Sequence, residues 1–190
     1  MTNDPPPTTL ATDTPSDARA RRRSRLTALW VLFGAVLGAL LIDQISKEIA
    51  LHALLTGPTT LAGVRLQLVA NRGILLGIPA PTGLVVLATL GVVIAALWSA
   101  RGARWTTSLA YGLLAGGALG NLVDRFQDRH FFPSAAVVDW ISMGRITFNL
   151  ADVFLVGGVA LLLFLPDARD ADKTPRKPAG SFLDEAQGFI

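Results

Sequence analysis

Four apolar stretches, at about 26–42, 82–99, 105–123 and 150–165, recur along a chain of 190 residues. Each approaches the roughly 20 residues that carry a helix across a hydrocarbon core of about 30 Å. Repetition of such stretches dictates a polytopic membrane protein before any other feature is considered. Composition agrees: 51% of residues are hydrophobic and 16% are charged, and the charges gather at the two ends and in short clusters. The first stretch, Leu26 to Ile42, follows an arginine run and runs into Asp43 without a small-residue cleavage site. It reads as a retained span rather than an export signal.

What is missing narrows the chemistry. The chain has no cysteine, which excludes disulfides, thiol nucleophiles and thiolate metal sites. Its two histidines, His52 and His130, stand without a second ligand at metal-site spacing, and neither a G-x-S-x-G elbow nor a P-loop occurs. A formal net charge of +3 invites a nucleic-acid reading, but the basic residues flank membrane stretches and read better as topology signals. Arg19, Arg21, Arg22, Arg23 and Arg25 precede the first stretch, Arg101 and Arg104 lie between the second and third, and Arg169, Lys173, Arg176 and Lys177 follow the fourth. With four spans these segments share one side, which the positive-inside rule makes cytoplasmic. The longer loops, about 56–81 and 124–149, then face outward. Residues 1–25 and 167–190 read as disordered polar tails around a single membrane unit, 26–166.

Within that frame the alternation Val64-Arg65-Leu66-Gln67-Leu68 predicts a short amphipathic strand at the interface. Gly112, Gly116 and Gly120, with Gly117 beside them, form a small-residue stripe for close helix approach, with Gly157 and Gly158 as candidate partners.

Polar residues collect at the outward ends. Asp43 and Lys47, four apart, share a helix face. They are either a weak membrane-edge ion pair or part of a polar site between helices. Asn71-Arg72-Gly73 reads as a turn, and Asn121, Asp124 and Arg125 close the third stretch, where Arg125 suits the helix dipole or pairs with Asp124. Asp139 lies in the apolar run Val137-Val138-Asp139-Trp140-Ile141, and Asp152 in Phe148-Asn149-Leu150-Ala151-Asp152. Asn149 as N-cap with Asp152 in the first turn accounts for one aspartate but not for both. Two carboxylates at a membrane boundary are costly unless they serve each other or a substrate. A shared proton would let one activate water while the other polarises a carbonyl, and twelve intervening residues permit the meeting without requiring it.

In order, the segments Asp43-Gln44-x-x-Lys47, Asn71-x-Gly73, Gly117-x-x-Gly120-Asn121-x-x-Asp124-Arg125, Val137-Val138-Asp139-Trp140 and Phe148-Asn149-x-Ala151-Asp152 resemble the signal peptidase II (prolipoprotein signal peptidase) family over about residues 26–165. The resemblance implies an all-α four-helix membrane bundle with a small extracytoplasmic β cradle, in the bacterial inner membrane with both termini cytoplasmic and the site near the outer face. It implies an aspartic endopeptidase that cuts diacylglyceryl-modified prolipoproteins just before the lipidated cysteine. Asp139 and Asp152 fall on the family's catalytic aspartates. Asp43, Lys47, Asn71, Gly73, Asn121, Asp124, Arg125, Asn149 and Ala151 fall on substrate-binding or site-supporting positions. No metal and no cofactor is implied; the partners are the lipidated precursors and membrane lipid, not nucleic acid, and the expected state is a monomer. The chain departs from the family at Ile74-Leu75-Leu76, where small residues and a phenylalanine are usual, and at Val153, where a serine is frequent. The other readings are a proton-coupled carrier, which would carry polar residues through the membrane midplane, and a non-catalytic assembly protein.

Overall fold

The computed structural model describes residues 14–73, 81–101, 104–129 and 131–164. Four helices, α1 (Pro15–Ala53), α2 (Thr82–Ser99), α3 (Trp105–Phe126) and α4 (Leu150–Phe164), are joined by four strands, β1 (Thr59–Leu61), β2 (Val64–Asn71), β3 (Val137–Met143) and β4 (Ile146–Phe148). The last three helices coincide with the apolar stretches read from the sequence. By length and hydropathy α1 and α2 qualify as membrane spans; α4 is apolar but shorter, at 15 residues.

α1 differs from expectation at its start. Pro15–Arg25, read as part of a disordered tail, continues the helix, so α1 runs for 39 residues, or roughly 58 Å at 1.5 Å per residue. Local chemistry explains the early start. The Thr14 hydroxyl accepts from the Asp17 backbone amide while the Asp17 carboxylate accepts from the Thr14 amide, a reciprocal cap, and Pro15 occupies the first turn. Arginine and alanine are good helix formers and carry the segment onward.

α3 is the central element and packs against each of the other three helices. Its glycines make this possible. A Cβ on Gly112 would lie 2.8 Å from the Leu32 carbonyl oxygen, and one on Gly116 would lie 2.6 Å from that of Val36, so this stripe faces α1. Gly117 lies against the Ala151 carbonyl and Gly120 against the Asp43 carboxylate. The expected pairing of the stripe with Gly157 and Gly158 is therefore corrected: Gly158 meets Ala110 and Leu114, on the face beside the glycines, and nothing among the described residues comes within 4 Å of a Cβ at Gly157. Because α1 takes the glycine face, α4 is left with the adjacent one. The seam of α1 runs through Ala28, Leu32, Ala39, Asp43, Lys47 and Ala50, while Trp30, Phe33 and Leu37 point outward. Large apolar side chains outside and small or charged ones inside is the arrangement a hydrocarbon solvent favours.

The strands form one antiparallel sheet in the order β1-β2-β3-β4. Each outer hairpin is closed by a two-residue turn with the required left-handed backbone, Ala62-Gly63 (φ 49° and 82°) and Gly144-Arg145 (φ 64° at Gly144). The predicted strand thus exists, is longer than its alternating part, and pairs with the Val137 segment. A register shift between Leu66 and Val69 lets Val69 oppose Asp139 and Asn71 oppose Val137. Asn71 and Asp139 thereby become diagonal neighbours on one face of the sheet.

Candidate active site

The first turn of α4 is where local folding and site geometry coincide. The Asn149 side-chain oxygen accepts from the Asp152 amide at 3.1 Å, and the Asp152 carboxylate accepts from the Asn149 amide at 3.4 Å. The helix-capping account of Asp152 is thus correct, and it fixes the carboxylate at the positive end of α4. Asn149 also uses its side-chain N–H groups, donating to Asp139 Oδ1 at 2.7 Å and to Asn121 Oδ1 at 3.0 Å. Asn121 donates in turn to Asp152 Oδ1 at 2.9 Å. Two asparagines therefore tie the strand aspartate to the helix aspartate. Asn71 donates to the other Asp139 oxygen at 3.0 Å, and its own oxygen accepts from the Gly73 amide at 2.8 Å, which closes the predicted turn.

Both carboxylates are nearly shielded from solvent, at 2% exposure for Asp139 and 6% for Asp152. Burial, with the neighbouring Asp152 charge, pushes the Asp139 carboxyl up to about 7, against the opposing hydrogen bonds from Asn71 and Asn149 and the charge of Lys47. A carboxyl raised that far still holds a proton part of the time near neutrality.

Beneath this pair lies a buried charge cluster. Asp43 and Lys47 are completely buried, so the surface-pair reading is excluded and the interior reading holds. Lys47 Nζ reaches Asp43 Oδ2 at 2.7 Å, Asp124 Oδ2 at 2.9 Å and Asn121 Oδ1 at 3.1 Å. The second Asp43 oxygen accepts from the Ala151 amide at 2.9 Å, and Ala151 is fully enclosed where α4 approaches Gly117 and Gly120. Asp124 accepts from the Val138 amide at 3.0 Å and so anchors the strand residue next to Asp139. Arg125 does not pair with Asp124. It donates to the Asn121 carbonyl at 2.6 Å and to the Gly73 carbonyl at 2.5 Å, pinning the turn after β2 to the end of α3.

All eleven residues singled out from sequence converge on this one region. Two that were not singled out join them. Gln44, inside the first motif, donates to Asp124, Asp43 and the Gly120 carbonyl. Arg129, outside every motif, bonds to Asp124 at 3.0 Å. The segment Ile74-Leu75-Leu76 lies outside the described residues.

A cavity of about 150 Å³ opens beside Asp152, with Asn71, Asn121 and Arg125 on one wall and Val85, Thr89 and Val92 of α2 on the other. A polar wall that offers donors, next to an apolar helix face, suits a chain with one polar and one aliphatic part. Among the described residues no cluster of carboxylates and histidines has metal-binding form.

The family described as Signal peptidase (SPase) II matches residues 35–165. A lipoprotein signal peptidase of Mycolicibacterium smegmatis is 34% identical, aligned over 96% of this chain and 80% of its own length. One of Rhodococcus jostii is 38% identical over 74% of this chain and 73% of its own. A solved bacterial membrane enzyme, 23% identical, shares the fold with a TM-score of 0.62, covering 80% of this chain and 92% of that one.

Proposed function

Since this chain belongs to the signal peptidase II family, we propose that its membrane peptidase activity, the removal of signal peptides from prolipoproteins, is carried by Asp139 and Asp152. The observation that bears most weight is the pair itself: two buried carboxylates in unlike settings, joined through Asn121 and Asn149, with Asp152 on the wall of a largely apolar cavity. Asp152, ionised at the start of α4, takes a proton from water as the water oxygen attacks the scissile carbonyl. Asp139, protonated, donates to the carbonyl oxygen and stabilises the tetrahedral intermediate. On collapse the C–N bond breaks as Asp152 gives its proton to the leaving nitrogen and a hydroxyl of the intermediate returns one to Asp139, so that products separate as a signal-peptide carboxyl and a free amine with the pair restored. A proton relay through the membrane is disfavoured, because the ionisable residues sit at one end of the bundle.

The substrate is a precursor whose cysteine already carries diacylglycerol, cut just before that cysteine. This reading rests on the family and on the apolar α2 wall of the cavity; a buried acyl chain contributes about 0.8 kcal/mol per CH₂ to docking. Incubating the purified protein with lipidated and unlipidated forms of one precursor tests it. The shortened product should appear from the lipidated form alone, and equal rates would sink the proposal.

The protein lies in the membrane. We propose four spans, both termini on the cytoplasmic side and the sheet outside, from the placement of arginines. In intact cells Thr60→Cys on β1 should react with an impermeant thiol reagent and Arg104→Cys should not. The reverse pattern would invert the topology.

The pH dependence has a definite sign. The Asp139 carboxyl is raised to about 7, so the singly protonated pair prevails below that value and is lost as pH rises through it. Turnover of the lipidated precursor should fall on the alkaline side of about pH 7, approaching about tenfold per unit. A flat profile between pH 6 and 9 would contradict the assigned proton.

A further inference from the structure

Arg129 has no part in the motifs, yet its side chain is only 6% exposed and is tied at both ends of its fork. One nitrogen meets Glu48 at 3.0 Å; the other meets Asp124 Oδ1 at 3.0 Å and the Gln44 side-chain oxygen at 2.8 Å. It lies three residues past the end of α3, where the chain leaves the helix toward β3. The fork therefore clamps that exit against α1.

The charge arithmetic of the cluster gives the clamp a second effect. Asp124 must be satisfied by Lys47 and Arg129 together, because Lys47 is already shared with Asp43. With Arg129 present the buried set Asp43, Asp124, Lys47 and Arg129 is neutral. Without it one negative charge is left on a carboxylate that holds the Val138 amide, one residue from Asp139.

We infer that Arg129 is a positioning residue for the aspartate pair, acting through Asp124 to hold β3 in place and to keep excess negative charge away from Asp139. The inference rests on Asp139 and Asp152 being the catalytic pair. The charged groups around Asp124 are Asp43 and Lys47, with Glu48 beyond Arg129, on α1, Arg125 on α3, Asp139 on β3 and Asp152 on α4. Of the cations among the described residues only Lys47 and Arg129 form ion pairs with Asp124, so loss of Arg129 leaves it with Lys47, already shared with Asp43. An uncompensated Asp124 makes Asp139 harder to ionise, so the alkaline limb of activity moves upward.

The test is kinetic, with the full-length protein and a diacylglyceryl-modified precursor across pH. Arg129→Gln should lower kcat about tenfold, as a slight misplacement of reacting groups does. KM should stay within about twofold, and the alkaline limb should rise by about half a pH unit. Arg129→Lys, which keeps the charge but loses the fork, should return the limb to its original place and recover kcat only in part. A limb unmoved in Arg129→Gln overturns the inference, as does a limb in Arg129→Lys as displaced as in Arg129→Gln. If Arg129→Gln does not accumulate, Arg129→Lys decides alone: reduced kcat with an unmoved limb upholds the role, and wild-type kcat or a moved limb overturns it. Asp139→Asn runs alongside, since turnover surviving in that variant would instead overturn the catalytic pair.

Discussion

Asp139→Asn and Asp152→Asn should each reduce cleavage of a lipidated precursor by at least about a thousandfold, because each removes one of two opposite proton roles. An asparagine at 139 has no proton to hand to the carbonyl oxygen, and one at 152 has no charge to draw a proton from water. Both substitutions keep the side-chain outline. At 139 the amide loses one acceptor, so either Asn71 or Asn149 is left with a donor facing a donor. At 152 the amide retains a carbonyl oxygen for the Asn149 N–H, as the cap requires, and turns its own N–H groups toward the Asn121 donor. Each substitution thus leaves a single donor facing a donor, and both proteins should be found in the membrane at near wild-type abundance. Asp124→Asn is the informative contrast: it should lower the unfolding midpoint and activity together, because Asp124 answers Lys47, Arg129 and the Val138 amide. Near-normal turnover in Asp139→Asn, with loss confined to Asp124→Asn, would reassign the chemistry.

Lys47→Met should be the most destabilising single change. Lys47 is completely buried, and its ammonium is shared by Asp43 and Asp124, which are also shielded. Removing one partner of a buried ionic set costs about 3–5 kcal/mol, since the charges left behind keep their desolvation penalty without their compensation. Asp124 retains Arg129, so Asp43 is the group stranded, holding only Gln44 and the Ala151 amide. Asp43→Asn added to Lys47→Met should accordingly recover part of the loss. Thermal unfolding in detergent would show it. A wild-type midpoint in Lys47→Met would mean that the cluster does not carry its charges in the folded protein.

How much of this was legible beforehand depends on the range of each interaction. Short-range features were readable: the Asn149–Asp152 cap spans three residues, the Asp43–Lys47 pair spans four, and the alternation of β2 is local. The burial of that pair was not readable, because the same i,i+4 spacing serves an exposed pair and a sealed one, and only the approach of α3 through Gly116 and Gly120 distinguishes them. β3 is nearly uniformly apolar around Asp139, which conceals its strand period; its register comes from β2, some seventy residues earlier. The helical character of Pro15–Arg25 was hidden by a proline and charge content that also suit an unstructured tail, although Thr14 and Asp17 carried the capping signal. Arg129 was the hardest to see. A lone arginine beyond a helix end is ordinarily a solvated one, and its role depends on where α1 presents Gln44 and Glu48.

The bond from the Ala151 amide to Asp43 has a consequence for how the protein is made. Synthesis delivers α1 first and α4 last, so the carboxylate in the first helix waits for a backbone partner that leaves the ribosome more than a hundred residues later. Until then α1 carries an aspartate with one oxygen unanswered, and Asn121 lacks both the donor and the acceptor that α4 supplies. A chain stopped before Leu150 can hold the Asp43–Lys47–Asp124 contacts but has neither Asp152 nor the cap that aims it. The final helix to be made is thus what completes the site, and a nascent chain gains no cleaving ability by degrees.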